Sequence, residues 1–303
     1  MKIFLDNVDI SSSSGPNGFA KKISKEFEKN HEVYTSVLEL IDSKVSPDIQ
    51  LSFIASECKL APIVQRLDGI YFNSEQDFMS MNAPIESTYN NADAVIFQSK
   101  FNKELTESFF GKRENSHIIS NGTNINLIND IQPMSVTNLN RFEKVWCCAS
   151  SWRPHKRLKE NIRYFQEYSK NDECLVIAGE NPDVKSSDDR IFYAGHLRWH
   201  DLISLMRRSS YFLHLSWLDH CPNVVIDARA AGCQIICSSA GGTKEIAGEN
   251  AIVIEEDEWD FAPLKLYSPP DMDFTRRESG KPSTTYDISD VAEKYLDVIE
   301  RVI

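Results

Sequence analysis

Four charged side chains in the second half of the chain stand at spacings that suit the binding of a polar, phosphate-bearing ligand. The stretch S-W-L-D-H-C-P-N-V-V-I-D-A-R-A-A-G, Ser216 to Gly232, carries Asp219 in a loop and Asp227 inside a segment that is otherwise almost all apolar or small. With a helix opening at Pro222, Asn223 and Asp227 stand four apart on one face, while Val224, Ala228 and Ala231 form a second face suited to a sheet. The N–H groups of Asn223, Val224 and Val225 then point back toward the turn, where they attract an anion such as phosphate. The carboxylate of Asp227, one turn further, can accept hydrogen bonds from hydroxyls such as those of a ribose. A pairing of Asp227 with a nearby arginine explains it equally well. Upstream, S-S-W-R-P-H-K-R-L sets Arg153 and Lys156 in a loop before a helix, Leu158 to Tyr168. Two cations at that place can neutralise a diphosphate and stabilise it as a leaving group, although a solvated basic turn is the commoner use of such a loop.

Glycine-bearing turns supply the other candidates. V-I-A-G-E-N-P places Gly179 and Glu180 at a strand end, and F-Y-A-G-H-L-R-W-H places Gly195, His196 and Leu197 at the next, both able to offer backbone groups to a flat base. In the first half, G-P-N-G-F-A (Gly15 to Ala20) lies between strand and helix. It lacks the full G-x-G-x-x-G of a dinucleotide site, yet Gly15 and Gly18 would let backbone approach a phosphate. R-L-D-G puts Asp68 at a strand end, as an acid of the site or as an ordinary Asp-Gly turn. Lys21, Lys22, Lys25 and Lys29 read as a solvated face of the first helix, with weak peripheral membrane contact as the alternative.

The elements that must position these residues alternate between β-rich and helical runs, the pattern of parallel βαβ units. Ile3 to Leu5, Gln50 to Ile54, Pro62 to Leu67, Ala94 to Gln98 and His117 to Ser120 read as strands of a first domain, with helices over Gly18 to Lys29 and Lys100 to Phe110. A polar, strand-free interval, Asn121 to Arg141, precedes a second series: Val145 to Ala149, Leu175 to Ala178, Ile191 to Ala194, Tyr211 to Leu215 and Ile235 to Ser238. Residues 1–140 and 141–285 are therefore expected as two Rossmann-like α/β domains. Leu264 to Lys281 reads as irregular, and a closing helix over 286–303 has Val291, Tyr295, Val298 and Val302 at helical spacing.

Composition bounds the rest. The chain has 303 residues, 41% hydrophobic and 26% charged, enough for about two globular domains. A formal net charge of -12 disfavours nucleic acid as a partner, because an acidic body repels it. The start M-K-I-F-L-D-N-V-D-I has too short an apolar run for a secretory signal, and no stretch approaches the roughly 18 apolar residues of a membrane span, so a cytoplasmic location is expected. Seven cysteines form no C-x-x-C pair, and disulfides and zinc are not expected.

Taken in order, these residues resemble the retaining glycosyltransferases of family 4, whose GT-B fold sets two Rossmann-like domains facing across a cleft. The likeness is strongest from Val145 to Ile254. The family's E-x7-E is met by Asp219 and Asp227 with the same seven-residue gap, then by A-R-A-A-G, I-I-C-S-S and G-G-T-K-E (Gly241 to Glu245). Both acids are one methylene shorter than the family's glutamates. Arg153 and Lys156 stand one residue closer than the family's R-x-x-x-K-like pair, and His220-Cys221-Pro222 replaces G-F-G. N-A-D-A-V-I-F-Q-S (Asn91 to Ser99) and S-N-G-T-N agree with first-domain pieces of the family, and the closing helix resembles the one that crosses back to the first domain.

The resemblance implies a nucleotide-diphosphate sugar as donor and a glycan, a lipid-linked sugar or another hydroxyl as acceptor, with no further cofactor and, for want of a D-x-D site, no metal. Arg153, Lys156, Asp219 and Asp68 would carry catalysis. Gly15, Gly18, Gly179, Glu180, His196, Leu197, Asn223, Val224, Val225 and Asp227 would bind substrate. A sugar-nucleotide epimerase of the same fold and a non-catalytic nucleotide-binding protein are the rival readings.

Overall fold

In the computed structural model, which describes residues 1–12, 14–282 and 286–303, the alternating pattern closes into two separate sheets. One compact unit comprises Met1–Asn124, Phe261–Leu264 and the described part of Thr284–Ile303; the other comprises Ile125–Asp260 and the described part of Lys265–Ser283.

The first unit contains β1 (Lys2–Asp6), α1 (Gly15–Phe27), β2 (Glu32–Tyr34), α2 (Val37–Ser43), β3 (Ile49–Phe53), β4 (Ile63–Leu67), α3 (Phe78–Asn91), β5 (Ala94–Phe97), α4 (Lys100–Phe110) and β6 (Ser116–Ile118). The strands pair in the order β2-β1-β3-β4-β5-β6, all parallel. Every residue of β3, β4 and β5 is buried, as expected of strands covered on both faces. Ser36 and Glu39 form a capping box that starts α2, and Ser99 caps α4 through the N–H of Asn102.

The second unit contains α5 (Ile125–Asp130), α6 (Thr137–Asn140), β7 (Lys144–Ala149), a 3-10 turn at Pro154–Lys156, α7 (Leu158–Tyr168), β8 (Glu173–Ala178), β9 (Ile191–Gly195), α8 (Trp199–Arg208), β10 (Tyr211–His214), α9 (Asn223–Ala230), β11 (Gln234–Ser238), α10 (Thr243–Ile246), β12 (Ile252–Ile254) and β13 (Arg277–Ser279). Its order is β13-β12-β11-β10-β7-β8-β9, parallel except where β13 runs against β12. Leu158, Ile162 and Phe165 of α7 pack with Trp146, Leu175, Leu213 and Ile236 of the sheet.

The chain changes unit after Asn124, earlier than residue 140, because the polar interval is helical and bound to the second unit. Ser204 donates to the Gln132 carbonyl at 2.7 Å, and Met134 N–H donates back to the Ser204 carbonyl at 2.8 Å. The expected boundary at residue 285 lies outside the described residues. Helix α11 (Ile288–Glu300) rejoins the first unit: Val291, Tyr295 and Val298 are buried in its core, with the Tyr295 ring 5.8 Å from that of Phe19. Among the described residues no helix is long and apolar enough to cross a membrane. All seven cysteines are free thiols.

Candidate functional site

Strand β10 ends at His214, and the loop that follows is pinned to the turn after β11. Leu218 N–H donates to the Ala240 carbonyl at 3.2 Å, and Gly242 N–H to the Asp219 carbonyl at 2.7 Å. Gly241 sits at φ +103°, where a side chain is strained, and a Cβ there would lie 2.6 Å from the Asp219 carbonyl oxygen. The G-G pair therefore sets the height of Asp219 above the sheet.

The Asp219 carboxylate meets two cation-capable groups on one oxygen. Lys156 Nζ lies 2.5 Å from Oδ2 and His214 Nε2 lies 3.0 Å from it. Burial alone would push the Asp219 carboxyl up, but Lys156 and His214 outweigh it and hold it well below the usual carboxylate range. Burial and the charge of Lys156, against the pull of Asp219, keep the His214 pKa below normal, so the ring is neutral and donates its Nε2 proton. His155, beside them, is buried against Tyr267 with ring centroids 5.5 Å apart; burial first and Lys156 second push it down to about 3.

Lys156 ends the 3-10 turn after β7, and the next residue anchors that turn. Arg157 lies at φ 52°, and its fully buried guanidinium grips Glu256 with two hydrogen bonds of 2.8 and 2.7 Å and the Pro270 carbonyl at 2.9 Å. Arg153 is exposed, and its guanidinium makes no side-chain bond among the described residues.

Gly179, at the end of β8, has φ +111°, and a Cβ there would lie 1.7 Å from the Ser150 carbonyl oxygen, so only glycine fits. Its N–H donates to the Gly195 carbonyl at 2.7 Å, and Trp152 N–H donates to the Glu180 carbonyl at 3.1 Å, which draws the ends of β7, β8 and β9 together. Glu180 and His196 are exposed, 3.5 Å apart, with Leu197 half-buried beside them.

Asp227 is buried in α9, and its Oδ2 accepts the indole N–H of Trp199, at the start of α8, at 2.9 Å. Pro222 is the residue before the helix rather than its first, and Val225 N–H closes the first turn onto the Pro222 carbonyl at 3.0 Å. The amide of Val225 is thereby committed inside the protein.

Lys156, Asp219, Gly179 and the start of α9 thus share the carboxyl edge of the second sheet. Asp68, Gly15 and Gly18 belong to the first unit. Asp68 accepts from Arg66 Nη1 at 2.5 Å and from Gln98 Nε2, so both of its oxygens are engaged. G-P-N-G is the first turn of α1 rather than a loop before it, and Gly18 N–H donates to the Ser14 carbonyl at 2.7 Å. His214 and Trp199 escape a sequence reading because one lies in an apolar strand run and the other 28 residues before its partner. A histidine at the last strand position ahead of an acid-bearing loop was the available signal.

Residues 143–263 match the model of the family described as glycosyl transferases group 1. Among solved structures, the chain is similar to HepE from Anabaena in complex with UDP-glucose, at 14% identity and a TM-score of 0.71, with 99% of this chain and 100% of that one covered. It is similar to sucrose-phosphate synthase from Thermosynechococcus elongatus at 12% identity and a TM-score of 0.73, covering 99% and 98%. It also resembles the catalytic domain of starch synthase IV from Arabidopsis thaliana bound to ADP and acarbose, at 11% identity and a TM-score of 0.65, covering 99% and 98%. The fold is GT-B. No curated protein matches the chain by sequence.

Proposed function

We propose that the protein is a retaining glycosyltransferase that moves a sugar from a nucleotide-diphosphate sugar to a hydroxyl acceptor without a metal. The observation that carries this reading is the Lys156–Asp219 pair, at 2.5 Å, on the loop that leads into α9. A lysine held only by a carboxylate can turn to an arriving diphosphate, and Arg153 adds a second positive charge where a metal would otherwise be needed. The amides of Asn223 and Val224 would hold phosphate, and Asp227 with Trp199 would meet the ribose. Gly179, Glu180, His196 and Leu197 would border the base. Asp219, freed from Lys156, would accept hydroxyls of the donor sugar. The UDP-glucose held by HepE supports a donor of this class.

The bond from the anomeric carbon to the diphosphate breaks with its electron pair passing to the diphosphate oxygen. The acceptor hydroxyl bonds to that carbon on the same face and gives its proton to the departing phosphate. Family-4 chemistry of this kind predicts a product of unchanged anomeric configuration. Proton NMR of the product formed from UDP-, GDP- or ADP-hexose and an alkyl glycoside tests it. An α-donor should give an α-product, whereas an inverted product, or isomerised sugar without transfer, refutes the reading.

A further inference from the structure

The carboxylate of Asp227 is tied to an uncharged donor. Trp199, the first residue of α8, reaches across to α9 and gives its indole N–H to Oδ2 at 2.9 Å. Both helices lie in the second unit and pack on one another. Asp227 is 5% exposed and Trp199 36%, so a buried acid is held by a residue that is itself open to solvent. An arginine in its place could take both carboxylate oxygens and would bring a positive charge. The indole has a single N–H and no acceptor, so it holds one oxygen without adding charge. The terminal torsion of an aspartate is broad, and a bond of this kind selects one orientation of the carboxylate plane. The backbone of Asp227 is fixed by its helix, whose Ala231 N–H donates to the Asp227 carbonyl at 2.9 Å. With the main chain held and Oδ2 pinned, the direction of Oδ1 is set by Trp199.

We infer that Trp199 is a positioning residue: by holding Asp227 through Oδ2 it aims the carboxylate at the ribose, and so sets how sharply the protein separates a ribonucleotide from its deoxy counterparts. The inference rests on the glycosyltransferase reading above, in which Asp227 meets the ribose. A carboxylate aimed by a fixed donor is preorganised to accept from a ribose hydroxyl, and a nucleotide lacking that hydroxyl forfeits a charge-assisted bond. Without the indole N–H the carboxylate turns among several orientations, and ribose and deoxyribose are met more nearly alike. The agent is the N–H and not the aromatic ring, and two substitutions separate them. Phenylalanine keeps an aromatic ring and has no donor. Glutamine loses the ring but carries an N–H as many bonds from Cα as the indole nitrogen.

Isothermal titration of the whole chain with uridine, guanosine and adenosine diphosphates, each beside its 2′-deoxy and 3′-deoxy forms, tests the inference. For the nucleotide that binds best, the wild type should favour the ribose form over at least one deoxy form by about fivefold or more. Trp199→Phe should bring that ratio below about twofold, and Trp199→Gln should keep it above about threefold. The ratio is the readout because a merely structural role for Trp199 would weaken all of these ligands together and leave it unmoved. A wild-type ratio near one, a ratio unchanged in Trp199→Phe, or a ratio lost equally in both variants overturns the inference. A measurement on the wild type stands should Trp199→Phe fail to fold: the indole N–H resonance of Trp199 should shift when the ribose form is added and shift less than half as far with the discriminated deoxy form at saturation, and equal shifts overturn the inference. Absence of any nucleotide binding by the wild type overturns the glycosyltransferase reading together with this one, whereas binding without the expected ratios overturns this one alone.

Discussion

At the carboxyl edge of the first sheet, Arg66 rises from β4 with no exposure at all, its guanidinium 4.3 Å from the Phe19 ring centre and 5.0 Å from that of Phe53. Asp68 and the Asn121 side chain, the latter at 2.7 Å from Nη2, close it in, and Asn121 in turn donates to Gln98 at 3.0 Å. At the edge of the second sheet, Lys156 and Asp219 keep 21% and 14% of their side chains exposed, and the lysine is a compact charge on a flexible stem. The first pair is a structural staple in which both Asp68 oxygens and both terminal guanidinium nitrogens of Arg66 are bonded. The second keeps partial water access, and in the function proposed above its lysine would exchange the carboxylate for a diphosphate. The two aspartates are buried to a similar degree, 18% and 14% exposed, and the pairs differ in the cation, which is wholly buried in the first and 21% exposed in the second.

The largest effect that could break this contrast is on stability. Asp68→Ala leaves the Arg66 charge buried without its carboxylate and should cost about 3–5 kcal/mol in urea unfolding. Lys156→Ala leaves Asp219, 14% exposed, with His214 as its remaining partner and should cost less, about 1–3 kcal/mol. Equal losses would erase the distinction.

A second effect is in the pH dependence of that stability, to which His155 and His214 of the second edge contribute. The folded pKa of His155, about 3, lies below its ordinary 6.5, so the unfolded chain binds the extra proton. Its contribution is complete above about pH 6.5 and is lost as pH falls toward 3, with a slope approaching about 1.4 kcal/mol per pH unit. Denaturant titrations at pH 7.5 and 5 should show that loss, and His155→Phe, which keeps the ring against Tyr267, should flatten it. The depressed His214 contributes with the same sign. An unchanged profile in His155→Phe would contradict the environment assigned to that ring.

Hydrophobic periodicity made most of the frame legible. Lys100 to Phe110 and Leu158 to Tyr168 read as helices and are α4 and α7, because a single apolar face in each meets the sheet. β2 went unread, since Glu32, Val33 and Tyr34 carry too few apolar residues to stand out and are only partly buried. α8 was equally hidden behind its loop. Within the candidate site, spacing singles out Asp219, Asp227 and Lys156, because those motifs are local, and the structure brings Lys156 and Asp219 to 2.5 Å. The hydrogen bonds that orient them come from His214 and Trp199, and the packing of β10 and α8 against α9 is a tertiary outcome that spacing does not encode. Arg66 and Asp68 show the converse: an Asp-Gly turn at a strand end is the same in sequence whether its acid faces a substrate or a buried arginine.

The central claim is that Lys156 is held by Asp219 in readiness for a nucleotide diphosphate. Isothermal titration of the wild type and Lys156→Ala with UDP-, GDP- and ADP-hexoses at fixed ionic strength tests it most directly. The account predicts that one donor binds the wild type and that the variant binds it at least tenfold more weakly, a loss of about 1.4 kcal/mol. No binding by the wild type, or equal affinity in the two proteins, would contradict it.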